Sequence, residues 1–171
     1  MVLPEIYSEF AFLGERLDPP LVTRRLALTP SRAFRAGDPI VHEKGKRRTN
    51  GWVLSIGPER SFAADEQVER LVTQLKPKTA EIVSLREELG VELRIYCIAY
   101  VADQAPNIWF KPDVVAWASQ IGASIDVDLY VGDEASLRPP LGPLGSPAHR
   151  GQASCSRALR GTSAERLPDR P

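Results

Sequence analysis

Between Asp65 and Val101 the chain carries the pattern that most restricts how it can fold. Val68, Leu71, Val72 and Leu75 recur at the spacing of one helical face, Pro77 interrupts, and Ile82, Leu85 and Leu89 resume the period. Proline lacks an amide to donate and crowds the carbonyl four residues back, so the helix is expected to break or kink there. Gly90 then offers a residue that takes the left-handed conformation of a helix stop at little steric cost. Glu92–Val101 follows as an extended run with apolar residues on both sides, Leu93, Ile95 and Cys97 against Tyr96, Ile98 and Tyr100. Such a strand has to be covered on both faces, which predicts a central position in a sheet.

The remaining elements follow from similar signals. Tyr7–Gly14 reads as a first strand, with Phe10 and Phe12 on one side and Ala11 and Leu13 on the other. Asp18 and Pro19 suit the start of a short helix ending near Leu28. Thr29–Gly51 has neither period and is expected to be a long loop, and the Asn50-Gly51 turn signal precedes a second strand starting at Trp52. Asn107–Phe110 is expected to be a short edge strand, and Pro112 to open a helix that Gly122 ends. In Ser124–Val131, Ile125, Val127, Leu129 and Val131 alternate with Asp126, Asp128 and Tyr130, which predicts one buried and one polar face. From Trp52 onward the order matches the split βαβ pattern of ferredoxin-like domains, with a strand and helix added in front. The expected class is α+β: a mostly antiparallel sheet with helices packed on one face.

A chain of 171 residues with 43% hydrophobic and 26% charged residues suits one globular domain with one core. Residues 1–133 are expected to form it. Residues 134–171 hold six prolines, four glycines, five serines and six arginines with only scattered leucines, and are expected to be a disordered tail. That tail carries six basic and three acidic residues, leaving 16 basic and 19 acidic residues in the domain. A slightly acidic domain has no field to gather nucleic acid, so a nucleic-acid partner is not expected. No secretory signal and no membrane-crossing stretch are read in the sequence, and two cysteines in dissimilar surroundings, Cys97 and Cys155, suit a reducing cytoplasm.

Asp126 and Asp128, two apart on a strand, emerge on the same face about 7 Å apart, a spacing compatible with acid–base work or a shared cation. The plainer reading is a solvated polar sheet face with Arg94 of the neighbouring strand as ion-pair partner, because no histidine or third carboxylate lies nearby in sequence. The basic run His42–Arg48, with Trp52 close behind as a stacking surface, reads more simply as a solvated loop. Trp52, Trp109 and Trp117 each sit in a predicted element, where a large ring usually packs in the core, and Cys97 lies mid-strand as an inert small hydrophobe. A phosphate-binding glycine loop, a zinc-spaced Cys/His set and a serine elbow are all missing, and no cofactor or metal is expected.

Several landmarks resemble a bacterial family, domain of unknown function 4279. They are Phe12-x-Gly14, Leu28-Thr29-Pro30-Ser31 leading to Arg35-x-Gly37-Asp38, Asn50-Gly51-Trp52, and the run Gly122–Tyr130, over about Phe10 to Val131. The resemblance implies a compact α+β domain and carries no activity, cofactor or catalytic residue with it. The expected binding surface is the helix-free sheet face, with Asp126, Asp128 and Tyr130 beside Arg94, Tyr96 and Tyr100, with the long loop carrying Arg35, Asp38 and the basic run folding over it, and with Trp52 close behind that run. The expected function is a non-enzymatic, cytoplasmic protein-interaction domain, immunity-like or regulatory. A small-molecule sensor is the alternative, and an enzyme using Asp126 and Asp128 the third reading.

Overall fold

The computed structural model describes residues 1–40 and 45–132. The expected tail, 134–171, and residues 42–44 of the basic run lie outside the described residues. The elements are β1 (Glu5–Gly14), α1 (Pro19–Leu26), β2 (Arg32–Phe34), β3 (Asn50–Arg60), α2 (Ala64–Leu75), α3 (Thr79–Leu89), β4 (Glu92–Val101), α4 (Pro112–Ile121) and β5 (Ala123–Val131). A single 3-10 turn, Lys76–Lys78, joins α2 to α3, placing the break at Pro77 as the periodicity predicts. Gly90 and Gly122 end α3 and α4 with φ of 60° and 69°, values a side chain would make costly.

The five strands form one sheet in the order β2-β3-β1-β4-β5. All neighbours are antiparallel except β4 and β5, which run parallel and are joined by α4. The middle strand is β1, whose residues Ile6 to Phe12 are all buried, while β4 lies between it and β5. All four helices contribute to one core on one face: Val22 and Leu26 from α1, Leu71 and Leu75 from α2, Ile82 and Leu85 from α3, Val114 and Trp117 from α4. They pack against Ile6, Phe10 and Phe12 of β1, Trp52 and Leu54 of β3, and Ile95 and Cys97 of β4. Burial of each such large side chain contributes about 1.5–3 kcal/mol, so this layer is what holds the helices to the sheet. Among the described residues no helix is long and apolar enough to cross a membrane.

Four expectations need correction. Asn107–Phe110 is not a strand: Asn107 makes one bridge to Ala63, its amide bonds the Phe62 carbonyl, and prolines at 106 and 112 leave no room for a ladder. The order therefore does not complete the ferredoxin-like pattern. Trp109, in that segment, is 46% exposed rather than core. The predicted loop Thr29–Gly51 contains β2, three residues paired with Gly51–Val53 and too short to display a period. The apolar row of β5 is also less buried than its alternation predicts. Ala123 and Ile125 reach the helix-side core, but Val127, Leu129 and Val131 are 42%, 48% and 79% exposed, because β5 is an edge strand and its far half runs past that core.

Candidate functional site

Among the described residues the opposite face of the sheet carries no helix. Tyr7, Ala11, Val53, Tyr96 and Ile98 form a second, smaller apolar cluster there, with Leu13, Phe34, Tyr100 and Tyr130 packed around it. The β4–β5 register sets Tyr96 opposite Asp126, Ile98 opposite Asp128 and Tyr100 opposite Tyr130, so the polar row of β5 joins this face.

Toward β2 the face is closed by a buried ion pair. Arg32 donates from both terminal nitrogens to the Glu9 carboxylate, at 2.9 and 2.6 Å, and the Ser55 hydroxyl donates to the same carboxylate at 3.0 Å. Glu9 is 2% exposed. The parallel two-bond geometry is the strongest form of this contact and fixes the short β2 against the centre of the sheet.

Toward β5 the face is open and charged. Arg94 bonds Glu92 at 2.8 Å and Asp126 at 3.3 Å. The Glu92 hydrogen bond is the main reason its guanidinium holds its proton more tightly than usual, against the desolvation of the site. A cleft of roughly 1020 Å3 lies here, lined by Leu13 and Gly14 from β1, Arg48 and Thr49 ahead of β3, Glu92, Arg94 and Tyr96 from β4, and Asp126 and Asp128 from β5. Among the described residues Asp128 has no ion-pair partner. At the other end of the face, Tyr100 stacks on Tyr130 with centroids 5.0 Å apart and meets Tyr7 edge-on at 5.9 Å. Burial pushes the hydroxyls of Tyr96 and Tyr100 up to about 12, which keeps both neutral donors at physiological pH.

Six of the residues singled out from the sequence therefore share one face: Arg94, Tyr96, Tyr100, Asp126, Asp128 and Tyr130. Trp52 and Arg35 lie elsewhere. Trp52 is fully buried in the helix-side core, on the far side of the sheet, with its indole donating to Thr23. Arg35 pairs with Asp18 ahead of α1, and Asp38 caps its amide within the loop. The loop does reach the face, through Phe34 and the end of the basic run: Arg48 lines the cleft, Phe34 joins the second cluster, and Arg47 sits 4.3 Å above the Phe34 ring. The Glu9–Arg32 pair went unread in the sequence. Its only signal is an acidic residue on the Tyr7-x-Glu9-x-Ala11 side of an otherwise apolar strand.

Cys97, fully buried beneath the helices, has its thiol pushed up to about 11 by burial. A shift of that size lowers the thiolate population about a hundredfold at neutral pH. In the native protein Cys97 is expected to react with a disulfide reagent at least about 100-fold more slowly than in urea. Stopped-flow absorbance on a Cys155→Ser background checks this, and equal rates would refute it. Among the described residues no group of three or more histidine, cysteine or acidic side chains is placed to hold a metal ion.

One helix-covered sheet face and a charged cleft on the other belong to a small α+β domain with a mostly antiparallel sheet. The chain belongs to the family described as domain of unknown function DUF4279, whose model matches residues 4–132. No curated protein and no solved structure matches it.

Proposed function

We propose that this chain is a non-catalytic protein-binding domain that takes a basic partner segment in the cleft on its helix-free face. The observation that carries this reading is the charge left over in the cleft. Arg94 is shared by Glu92 and Asp126, four carboxylates (Glu15, Glu92, Asp126 and Asp128) line the cleft against the two cations Arg48 and Arg94, and Asp128 has no ion-pair partner among the described residues. A partner lysine or arginine completes that balance, and the adjoining tyrosines supply amphipathic contact area at little conformational cost. With one carboxylate already committed to Arg94, the pair supports recognition better than turnover.

A small-molecule ligand is the second reading, favoured by a cleft volume near the upper end of ligand pockets, about 300–1,000 Å3. The strand-borne, charged walls favour the first. The test is fluorescence polarisation against a panel of arginine- and lysine-rich peptides. The double reversal Asp126→Lys with Asp128→Lys is expected to weaken the best binder at least about tenfold, well beyond a rim contact. Its circular dichroism should match the parent. Unchanged binding removes this face from consideration. A concentration-dependent rise in Tm with small metabolites, and none with peptides, replaces the first reading by the second.

A further inference from the structure

The free edge of β5 is an interaction surface of its own. Among the described residues β5 is bonded on one side only, and unlike the three-residue β2 at the opposite edge it is nine residues long. The Gly132 amide donates to the Val101 carbonyl, continuing the β4–β5 ladder. Backbone groups alternate direction along a strand, so the even-numbered positions face β4 and Val127, Leu129 and Val131 turn amide and carbonyl outward. Those three residues are also the exposed apolar row. β5 contains no lysine, proline or bulge, and its two charged residues, Asp126 and Asp128, lie on the face away from the apolar row.

We infer that β5 pairs antiparallel with β5 of a second copy of this chain, across a twofold axis at Leu129. A twofold perpendicular to the sheet keeps the helices of both copies on one side, so it must oppose odd positions to odd and even to even. Charge and the match of the exposed apolar residues together select the register. Centring on Val127 opposes Asp126 to Asp128 twice, and centring on Asp128 opposes that carboxylate to its own copy. Both are destabilising, because like charges directly opposite repel. Centring on Leu129 opposes Asp128 to Tyr130 and brings no two carboxylates face to face. It also matches all three exposed apolar residues among themselves, Leu129 with Leu129 and Val127 with Val131. Each of these pairs exchanges both outward hydrogen bonds. The occupant is a second copy because the row Val127-x-Leu129-x-Val131 reads the same in both directions, the self-complementarity that a twofold interface requires.

Sedimentation velocity on the full chain, up to submillimolar concentration, is expected to show a reversible monomer–dimer equilibrium. Leu129→Asp sets two carboxylates against each other on the axis and should raise the dimer Kd by at least about 100-fold. Its Tm, read where both proteins are monomeric, should change little because the side chain is half exposed. In a Cys155→Ser background, Leu129→Cys places two thiols on residues about 5.5 Å apart, within disulfide reach, and should cross-link on mild oxidation. Ser124→Cys, ten positions out of register with its own copy, should not. A chain that stays monomeric overturns the inference, as does a dimer that survives Leu129→Asp or cross-links through position 124 rather than 129.

Discussion

Arg32→Ala is expected to lower the unfolding free energy by about 3–5 kcal/mol, the usual cost of removing one partner of a buried ion pair. The reason lies with the residue left behind. Glu9 sits at the centre of the middle strand with 2% exposure, and Arg32 gives its carboxylate two parallel charge-assisted bonds whose loss leaves a buried charge without its bidentate cation. Water reaches that carboxylate only if β2 lifts away, so the amides of Arg32–Phe34 should lose their protection against hydrogen exchange in the variant. Arg32→Lys should recover only part of the loss, because an ammonium cannot reproduce the two parallel bonds. The double replacement Glu9→Leu with Arg32→Met should recover much of it, since an apolar pair of similar volume carries no desolvation cost. Urea titrations of the three variants beside the parent measure all of this. A loss under about 1 kcal/mol for Arg32→Ala would mean that the carboxylate is hydrated in solution and that the pair does not hold β2.

The helices were legible because each carries its own period and its own stop. Pro77, Gly90 and Gly122 act within one or two turns of chain, and local sterics suffice to place them. The long strands were legible for the same reason. What the sequence withheld depends on neighbours. A three-residue strand such as β2 is defined by its pairing with Gly51–Val53 rather than by any pattern of its own. Alternation in β5 correctly separates Ile125, Val127 and Leu129 from Asp126, Asp128 and Tyr130, but it cannot say how far the covering layer extends. Only Ala123 and Ile125 of the apolar row reach the core. The same limit explains the candidate site. Residues of β4 and β5 were grouped correctly once those strands were taken to be neighbours, whereas Trp52 and Arg35 were assigned by proximity in the chain, and tertiary structure sent them elsewhere.

Trp52→Ala is expected to cost about 3–5 kcal/mol, a large share of the roughly 5–15 kcal/mol that stabilises a domain of this size. Trp52 is opposite Phe12 in the β1–β3 ladder, and their rings meet edge to face with centroids 5.7 Å apart. Phe12 in turn meets Phe10 edge to face at 5.3 Å, so the indole closes a chain of three rings beneath the helices. Its Nε1–H donates to the Thr23 hydroxyl at 3.0 Å, tying β3 to α1. Truncation removes the buried ring, opens a cavity that the surrounding strands and helix can fill only in part, and leaves Phe12 with one of its two edge-to-face contacts. Trp52→Phe keeps a ring in the same place and should cost markedly less. Thr23→Ala leaves the indole N–H without this acceptor and should lower stability by about 1 kcal/mol. Far-ultraviolet circular dichroism during urea unfolding is the suitable probe, because Trp109 and Trp117 would still dominate the fluorescence. The ordering Ala, then Phe, then the threonine variant distinguishes a packed ring from a binding platform. A Trp52→Ala protein as stable as the parent would show that the ring is not structural, and would return it to the candidate binding residues from which its burial removes it.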